Sequence, residues 1–266
     1  PYELFKSKKI TEIVPTDVVF PPSILKIAMF CVYGSISKLS NKMIVHSPIF
    51  KKWLLQYRIN TQKIDIIPHG ISTDRKVSMV KKWKDFGSRI VLNFGVITPR
   101  KGLETLISAF ANLDVDDAKL VIAGREMPYY VGYFDKIKEL VKKHGIEDRV
   151  LFTGFLPDKE VHYLFEKAEI VVIPYHVCIS ASGVLSYAVQ HAKPTIVTET
   201  EFFMEELSRS ESLFVPVDDV NELKNAMERL LKNGALKNEF SKQIALKAKA
   251  NSWEKVAQKH LEVYRL

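Results

Sequence analysis

The chain has 266 residues, 47% hydrophobic and 26% charged, which suffices for a buried core in one large or two small domains and excludes a disordered chain. Its net charge of +8 at pH 7 favours anionic partners, such as nucleotide diphosphates or anionic lipid. Two cysteines, Cys31 and Cys178, exclude a disulfide framework and suit a reducing, cytoplasmic setting, and the seven histidines lack the spacing of a metal site.

Pro1 stands where an initiator methionine is usual, which suggests that residues precede it. The most apolar stretch, Ile24 to Tyr33, falls short of the roughly twenty residues a spanning helix needs, and no signal peptide is visible. Lys6, Lys8, Lys9, Lys26, Lys38, Lys42, Lys51 and Lys52 surround that stretch, a combination suited to peripheral contact with the inner face of a membrane. The alternative is solvated lysines over a buried helix. Strands are predicted at Lys42–His46 and Lys63–Ile67, around a helix near residues 48–57. This is too little for an independent α/β domain, so residues 1–72 read as the tail of a preceding domain, closed by the hinge Pro68-His69-Gly70-Ile71. A polar, lysine-rich connector follows through Lys84.

From Arg89 onward, β-branched runs alternate with amphipathic stretches, the pattern of repeated βα units on a parallel sheet. The predicted strands are Arg89–Phe94, Lys119–Ala123, Arg149–Phe152, Ile170–Ile173, Thr195–Val197 and Ser212–Val215. Leu103, Leu106, Ile107 and Phe110 recur at the spacing of one buried helix face. Ile137, Leu140 and Val141 do the same before Gly145, a predicted C-cap. Gly234 separates two later helices, and Ser252 is placed to N-cap a last one carrying Trp253, Val256, His260, Leu261 and Tyr264. The fold class is therefore α/β, a Rossmann-like parallel sheet flanked by helices.

Between Pro174 and Pro194 a strand end, a small-residue turn and a helix follow one another, and the turn Ser182-Gly183-Val184 offers backbone N–H groups and a positive helix end to an anion. That segment contains no acidic residue. No GxGxxG follows the first strand of the sheet, where Gly95-Val96-Ile97-Thr98-Pro99-Arg100-Lys101-Gly102 stands instead, which disfavours a dinucleotide enzyme. The lysines are spread over many helices without interleaved aromatics, which disfavours nucleic acid as a partner. The string Asp114-Val115-Asp116 precedes a strand and belongs at the sheet edge away from any ligand crevice.

Several pieces, in order and spacing, resemble the family-four glycosyltransferases of GT-B type. They are Ile66-Ile67-Pro68-His69-Gly70-Ile71, Phe94–Gly102, Val121-Ile122-Ala123-Gly124-Arg125, Phe152-Thr153-Gly154-Phe155, Ala168–Pro174 and Ala192-Lys193-Pro194-Thr195-Ile196-Val197. Ser252-Trp253-Glu254-Lys255-Val256 is similar to the family's final helix, which crosses back to the N-terminal domain. The resemblance implies a donor-binding domain at residues 73–248 and a crossing helix at 249–266. It implies that Lys101, assisted by Arg100, contacts a donor diphosphate, that Gly95 lets backbone approach it, and that Ser182, Gly183 and Val184 add N–H groups. Gly124 and Arg125 would lie under the sugar nucleotide and Phe155 beside the base. For each an ordinary role stays open: solvated charges for Arg100, Lys101 and Arg125, core packing for Phe155, a plain helix start at Ser182.

The family's pair of glutamates in the Pro174–Pro194 segment is absent. Depending on register, Ile179 and Tyr187 or Ser180 and Ala188 stand there. Ser180 or Ser182 is then left to bond a sugar hydroxyl, and Tyr187 either reaches a ribose or packs in the core. The implied function is transfer of a sugar, with retention, from a nucleotide-diphosphate sugar to a glycan, lipid or small-molecule acceptor, without a metal or further cofactor. The alternatives are a non-catalytic nucleotide-sugar-binding or regulatory module and a sugar-nucleotide epimerase on the same fold.

Overall fold

The computed structural model describes residues 22–74, 89–178 and 181–265. Among these, residues 22–70, Ala181 and 253–265 form one compact unit, and residues 71–74, 89–178 and 182–252 form a second. The connector after Asp74, together with Lys6, Lys8, Lys9 and Ser180, lies outside the described residues.

The first unit opens with helix α1 (Pro22–Leu39). Two parallel strands, β1 (Met43–Val45) and β2 (Ile64–Ile66), flank helix α2 (Pro48–Leu55) in the chain. Leu54, Tyr57, Ile59 and Ile64 form its small core, with Tyr33, Met43 and Val45 packed against them. Helix α2 stops before Tyr57, and Arg58 takes a left-handed φ of 58°. The Lys63 ammonium donates to the carbonyls of Ser37 and Ser40 at 2.6 and 2.9 Å, satisfying the end of α1. Ile27, Phe30, Val32, Ile36 and Leu39 of α1 remain exposed. Among the described residues no helix is long and apolar enough to cross a membrane.

The second unit is built on a six-stranded, wholly parallel sheet of β3 (Arg89–Phe94), β4 (Ala118–Ala123), β5 (Val150–Gly154), β6 (Ile170–Ile173), β7 (Thr195–Thr198) and β8 (Ser212–Val215). Its strand order is β5-β4-β3-β6-β7-β8. Central strands covered by helices on both faces need near-continuous apolar sequence, and Val91, Leu92 and all of Ile170–Ile173 are fully buried. Helices α3 (Leu103–Ala111), α4 (Tyr133–Lys143), α5 (Asp158–Lys167), α6 (Gly183–Gln190), α7 (Glu201–Glu206), α8 (Val220–Lys232) and α9 (Gly234–Ala250) connect and cover the strands. Leu103, Leu106, Ile107 and Phe110 are the buried face of α3, each stabilising the fold by about 1.5–3 kcal/mol. Gly145, at φ 65°, follows α4 in the left-handed conformation that ends a helix at least cost.

Most strands begin or end a residue or two from the sequence expectation, and two boundaries show a specific local contact. Arg149 precedes β5, its N–H still closing a turn onto Ile146 O at 3.0 Å, while its guanidinium donates to the Val115 carbonyl at 3.0 Å and lies over the Phe110 ring. The break between α8 and α9 is made by Asn233, whose side chain accepts from Leu236 N at 3.0 Å, so Gly234 is already the first residue of α9. The Asp114 carboxylate ahead of β4 pairs with Lys232 at 2.7 Å, an architectural contact.

The last helix, α10 (Trp253–Tyr264), groups with the first unit. Val256 is its buried residue, whereas Trp253, Leu261 and Tyr264 are more than half exposed. Trp253 nevertheless packs closely: a Cβ on Gly70 would stand 2.3 Å from its ring, and the His69 ring lies edge-on to it at 5.6 Å.

Candidate functional site

The chain runs outward from β3 through β4 to β5, then returns to lay β6 on the other side of β3. That reversal leaves a crevice beyond the carboxyl ends of β3 and β6, the place where open α/β sheets take ligands. β3 and β6 pair only at Val91 with Ile170 and Leu92 with Val171, and the buried Asn93 side chain spans the widening gap to the Val172 carbonyl at 3.0 Å. The strands therefore splay where the two loops begin.

Glycines make those loops fit. Gly95 N donates to Ala123 O at 2.8 Å, Gly124 N to Gly154 O at 3.1 Å and Ile97 N to Arg125 O at 2.9 Å, which ties the loops after β3, β4 and β5 together. Across the switch point, His176 N donates to Arg100 O at 3.0 Å, and Gly102, at φ 66°, sits so close to Pro174 that a Cβ would fall 1.9 Å from its carbonyl oxygen. No other residue permits that approach without backbone movement.

Lys101 closes a short 3-10 turn, Pro99–Lys101, ahead of α3. Its ammonium stands 3.4 Å from the centroid of the Tyr175 ring. Burial first, and then the neighbouring Arg100 charge, push its pKa down to about 7, with Cys178 acting in the opposite sense. Opposite, Ser182 caps α6, its Oγ accepting from Leu185 N at 3.3 Å. The N–H groups of Gly183 and Val184 consequently have no partner within the helix. A Cβ on Gly95 would meet Val184 Cγ2 at 3.3 Å, so the loop after β3 and the start of α6 are in direct register. A half-buried cation, two helix starts and no carboxylate on the Pro174–Pro194 segment suit a doubly charged anion.

Farther along the edge, the Arg125 guanidinium lies 5.4 Å from the Phe155 ring. Phe155 is 72% exposed, which overturns the core reading and leaves an aromatic face open to a planar ligand. Tyr187 packs against Phe94 at 5.6 Å and stacks on Phe165 at 5.3 Å, one turn along α6 from Val184. Burial first, and Asp158 second, raise its pKa, so it holds its phenolic proton. Gly95, Arg100, Lys101, Ser182, Gly183 and Val184 thus stand on the two loops that meet at the switch point, with Gly124, Arg125 and Phe155 on the adjoining edge.

Sequence reasoning passed over Tyr175, His176 and Asp218. Tyr175 is 2% exposed beneath Lys101. His176 Nε2 lies 2.7 Å from Asp218 Oδ1, which also accepts from Thr105 Oγ1 at 3.2 Å, so this cluster braces the loop after β6. The only available signal was the placement of Tyr175-His176 directly after a strand-ending proline. Among the described residues no group of three or more His, Cys, Asp or Glu is arranged to hold a metal ion.

Comparison with known proteins gives this geometry a context. The profile of the glycosyl transferases group 1 family matches residues 74–247. Mannosylfructose-phosphate synthase from Agrobacterium fabrum is 25% identical over 220 residues, covering 77% of this chain and 48% of that protein. Phosphatidyl-myo-inositol mannosyltransferase from Mycobacterium leprae is 22% identical over 223 residues, covering 82% of this chain and 57% of the relative. The chain thus spans about half the length of these curated relatives. Among solved structures, HepE from Anabaena in complex with UDP and glucose superposes with a TM-score of 0.81 at 17% identity, covering 92% of this chain and 68% of that one. Sucrose-phosphate synthase from Thermosynechococcus elongatus gives 0.78 at 21% identity, with 97% and 64% covered.

Proposed function

The chain belongs to the glycosyl transferases group 1 family, and from that premise we propose that its protein transfers a sugar from a nucleotide-diphosphate sugar to an acceptor. The observation that carries this reading is the convergence of the Lys101 ammonium and the N-terminus of α6 on the β3/β6 switch point. The diphosphate lies between Gly95–Lys101 and Ser182–Val184, with the base toward Arg125 and Phe155. Stabilising the leaving diphosphate is the main catalytic contribution available to this unit, since groups aimed at developing charge lower a barrier most. The donor phosphate itself then takes the acceptor proton, and the sugar is transferred with retention.

Neutralisation of the diphosphate falls to Lys101 and backbone N–H groups, so transfer needs no tightly bound metal. The exposed apolar side chains of α1 beside Lys38 support an acceptor at or near a membrane surface. Calorimetry with UDP and GDP on the wild type and Lys101→Ala tests the site. Loss of about tenfold in affinity is expected for a charge-assisted contact, and unchanged affinity in a folded variant would overturn it. Transfer assays with and without EDTA, anomeric NMR of the product and salt-dependent vesicle sedimentation test the remaining points in turn.

A second reading, a nucleotide-sugar-binding module without transfer, is favoured by one feature, the absence of any acidic residue between Pro174 and Pro194. A missing charged hydrogen-bond partner typically costs ~1.5–3 kcal/mol, which slows transfer without abolishing it. Binding without turnover by the intact protein would select the module.

A further inference from the structure

A partly buried ammonium commonly stands against a carboxylate, because an unpaired charge is costly away from water. Lys101 does not. Among the described residues no ion pair involves it, and no acidic residue occurs in the segment from Pro174 to Pro194 that packs over it. What faces the ammonium is the Tyr175 ring, centred 3.4 Å away. That ring is held by its backbone and by one aromatic neighbour. Its carbonyl accepts from Thr198 Oγ1, the Phe203 ring packs on it at 5.8 Å, and its loop is joined to that of Lys101 through His176 N and Arg100 O.

We propose that Tyr175 is the positioning residue of the diphosphate-binding lysine, holding the Lys101 ammonium through its aromatic face in the role a carboxylate would otherwise take. The inference rests on the donor site proposed above. An aromatic face attracts a cation without accepting its hydrogen bonds in the way a carboxylate does. The N–H donors of Lys101 that point away from the ring therefore stay available for phosphate oxygens, and its positive charge is not neutralised before the donor arrives. A carboxylate in the same place would compete with the diphosphate and repel it.

The groups that face Lys101 are Arg100 on its own turn and, on the loop after β6, Tyr175 and Cys178. His176 lies beyond them, its Nε2 2.7 Å from Asp218 Oδ1. Arg100 and burial oppose the charged form of Lys101 and Cys178 favours it, while the ring gives the ammonium its aromatic contact on the packed side.

The test keeps the shape of the ring and alters its electrons. Tyr175→Phe and a series of phenylalanines at that position carrying increasing numbers of ring fluorines are compared in the intact protein. Two readouts are taken: the Lys101 pKa by NMR of labelled lysine without nucleotide, and the affinity for UDP and GDP near neutral pH. Tyr175→Phe should stay within about twofold of wild type, while each added fluorine lowers both the pKa and the affinity, to about threefold to tenfold weaker binding at the end of the series. Fluorinated variants that match Tyr175→Phe in both readouts would overturn the proposal, as would weaker binding with an unmoved pKa. If Lys101→Ala leaves UDP and GDP binding untouched, the donor-site reading fails instead, and the Lys101 pKa across the series still decides whether the ring supports the charge.

Discussion

A Cβ on Gly124 would stand 1.8 Å from the carbonyl oxygen of Gly95, so the two backbones cross at a distance only glycine allows, at the carboxyl edge of the sheet. Both have positive φ, 148° at Gly124 and 122° at Gly95, so the crossing uses the freedom of both glycines. The loops after β3 and β4 are therefore set against each other by backbone alone, before any side chain contributes.

Gly124→Ala, and likewise Gly102→Ala against Pro174, must displace backbone. Each should destabilise the protein by about 2 kcal/mol or more, since an added methyl at an incompatible φ costs both strain and overpacking. Urea denaturation measures this. Stability within the error of the wild type would mean that the loops are free to part.

Lys101 should reduce stability while serving binding. Its folded pKa, about 7, lies below the ordinary lysine value of 10.5. The unfolded chain therefore holds more protons than the folded one between those values, and stability rises with pH across that window. Lys101→Met should be more stable than wild type by a margin on the order of 2 kcal/mol at pH 6, shrinking as pH climbs toward 10, and it should lose nucleotide affinity. Equal stability at pH 6 would show that the ammonium is adequately solvated.

Phe155 tests the base end of the crevice without disturbing the fold. Being 72% exposed, its replacement by Ala should change stability by no more than about 0.5 kcal/mol. Loss of one stacking face should weaken UDP and GDP by roughly fivefold or more, on the scale of aromatic–base stacking. Calorimetry showing unchanged affinity would place the base elsewhere.

His191 makes an acid-sensitive contact on the far side of α6. Its ring is buried between His162, at 2.9 Å, and Glu166, at 3.3 Å. Burial chiefly lowers its pKa, against the opposing effect of Glu166. A lowered folded pKa means that stability is fully present above about pH 6.5 and is lost as pH falls through the folded value. His191→Gln should flatten that loss between about pH 7.5 and 5 by roughly 1 kcal/mol, read from melts across the range. A parallel pH profile in the variant would assign the acid sensitivity to other groups.

Local chemistry made much of the fold legible. Each strand of the parallel sheet is a short β-branched run, and α3 repeats its apolar residues at helical spacing, so burial follows from periodicity. The order of motifs from Phe94 to Val197 placed the glycines and Lys101 on loops beyond strand ends, where the structure has them. Alternation of strands and helices also fixed the parallel class, because a helix between strands returns the chain to the same edge.

Tertiary structure decided what no linear pattern contains. Tyr175 lies beneath Lys101, 74 positions earlier in the chain, because β6 returns beside β3 and brings Pro174 into contact with Gly102. The pairing of His176 with Asp218 depends on the β8 to α8 turn meeting the same loop, and neither residue type at its own position signals the other. The sequence left Phe155 open between core packing and a place beside the base, and only the structure, where it follows Gly154 at the end of β5, shows it exposed. Residue type and period govern local geometry and burial, which the sequence states directly. The company a side chain keeps depends on which distant segments the sheet order brings together, and that depends on the whole fold.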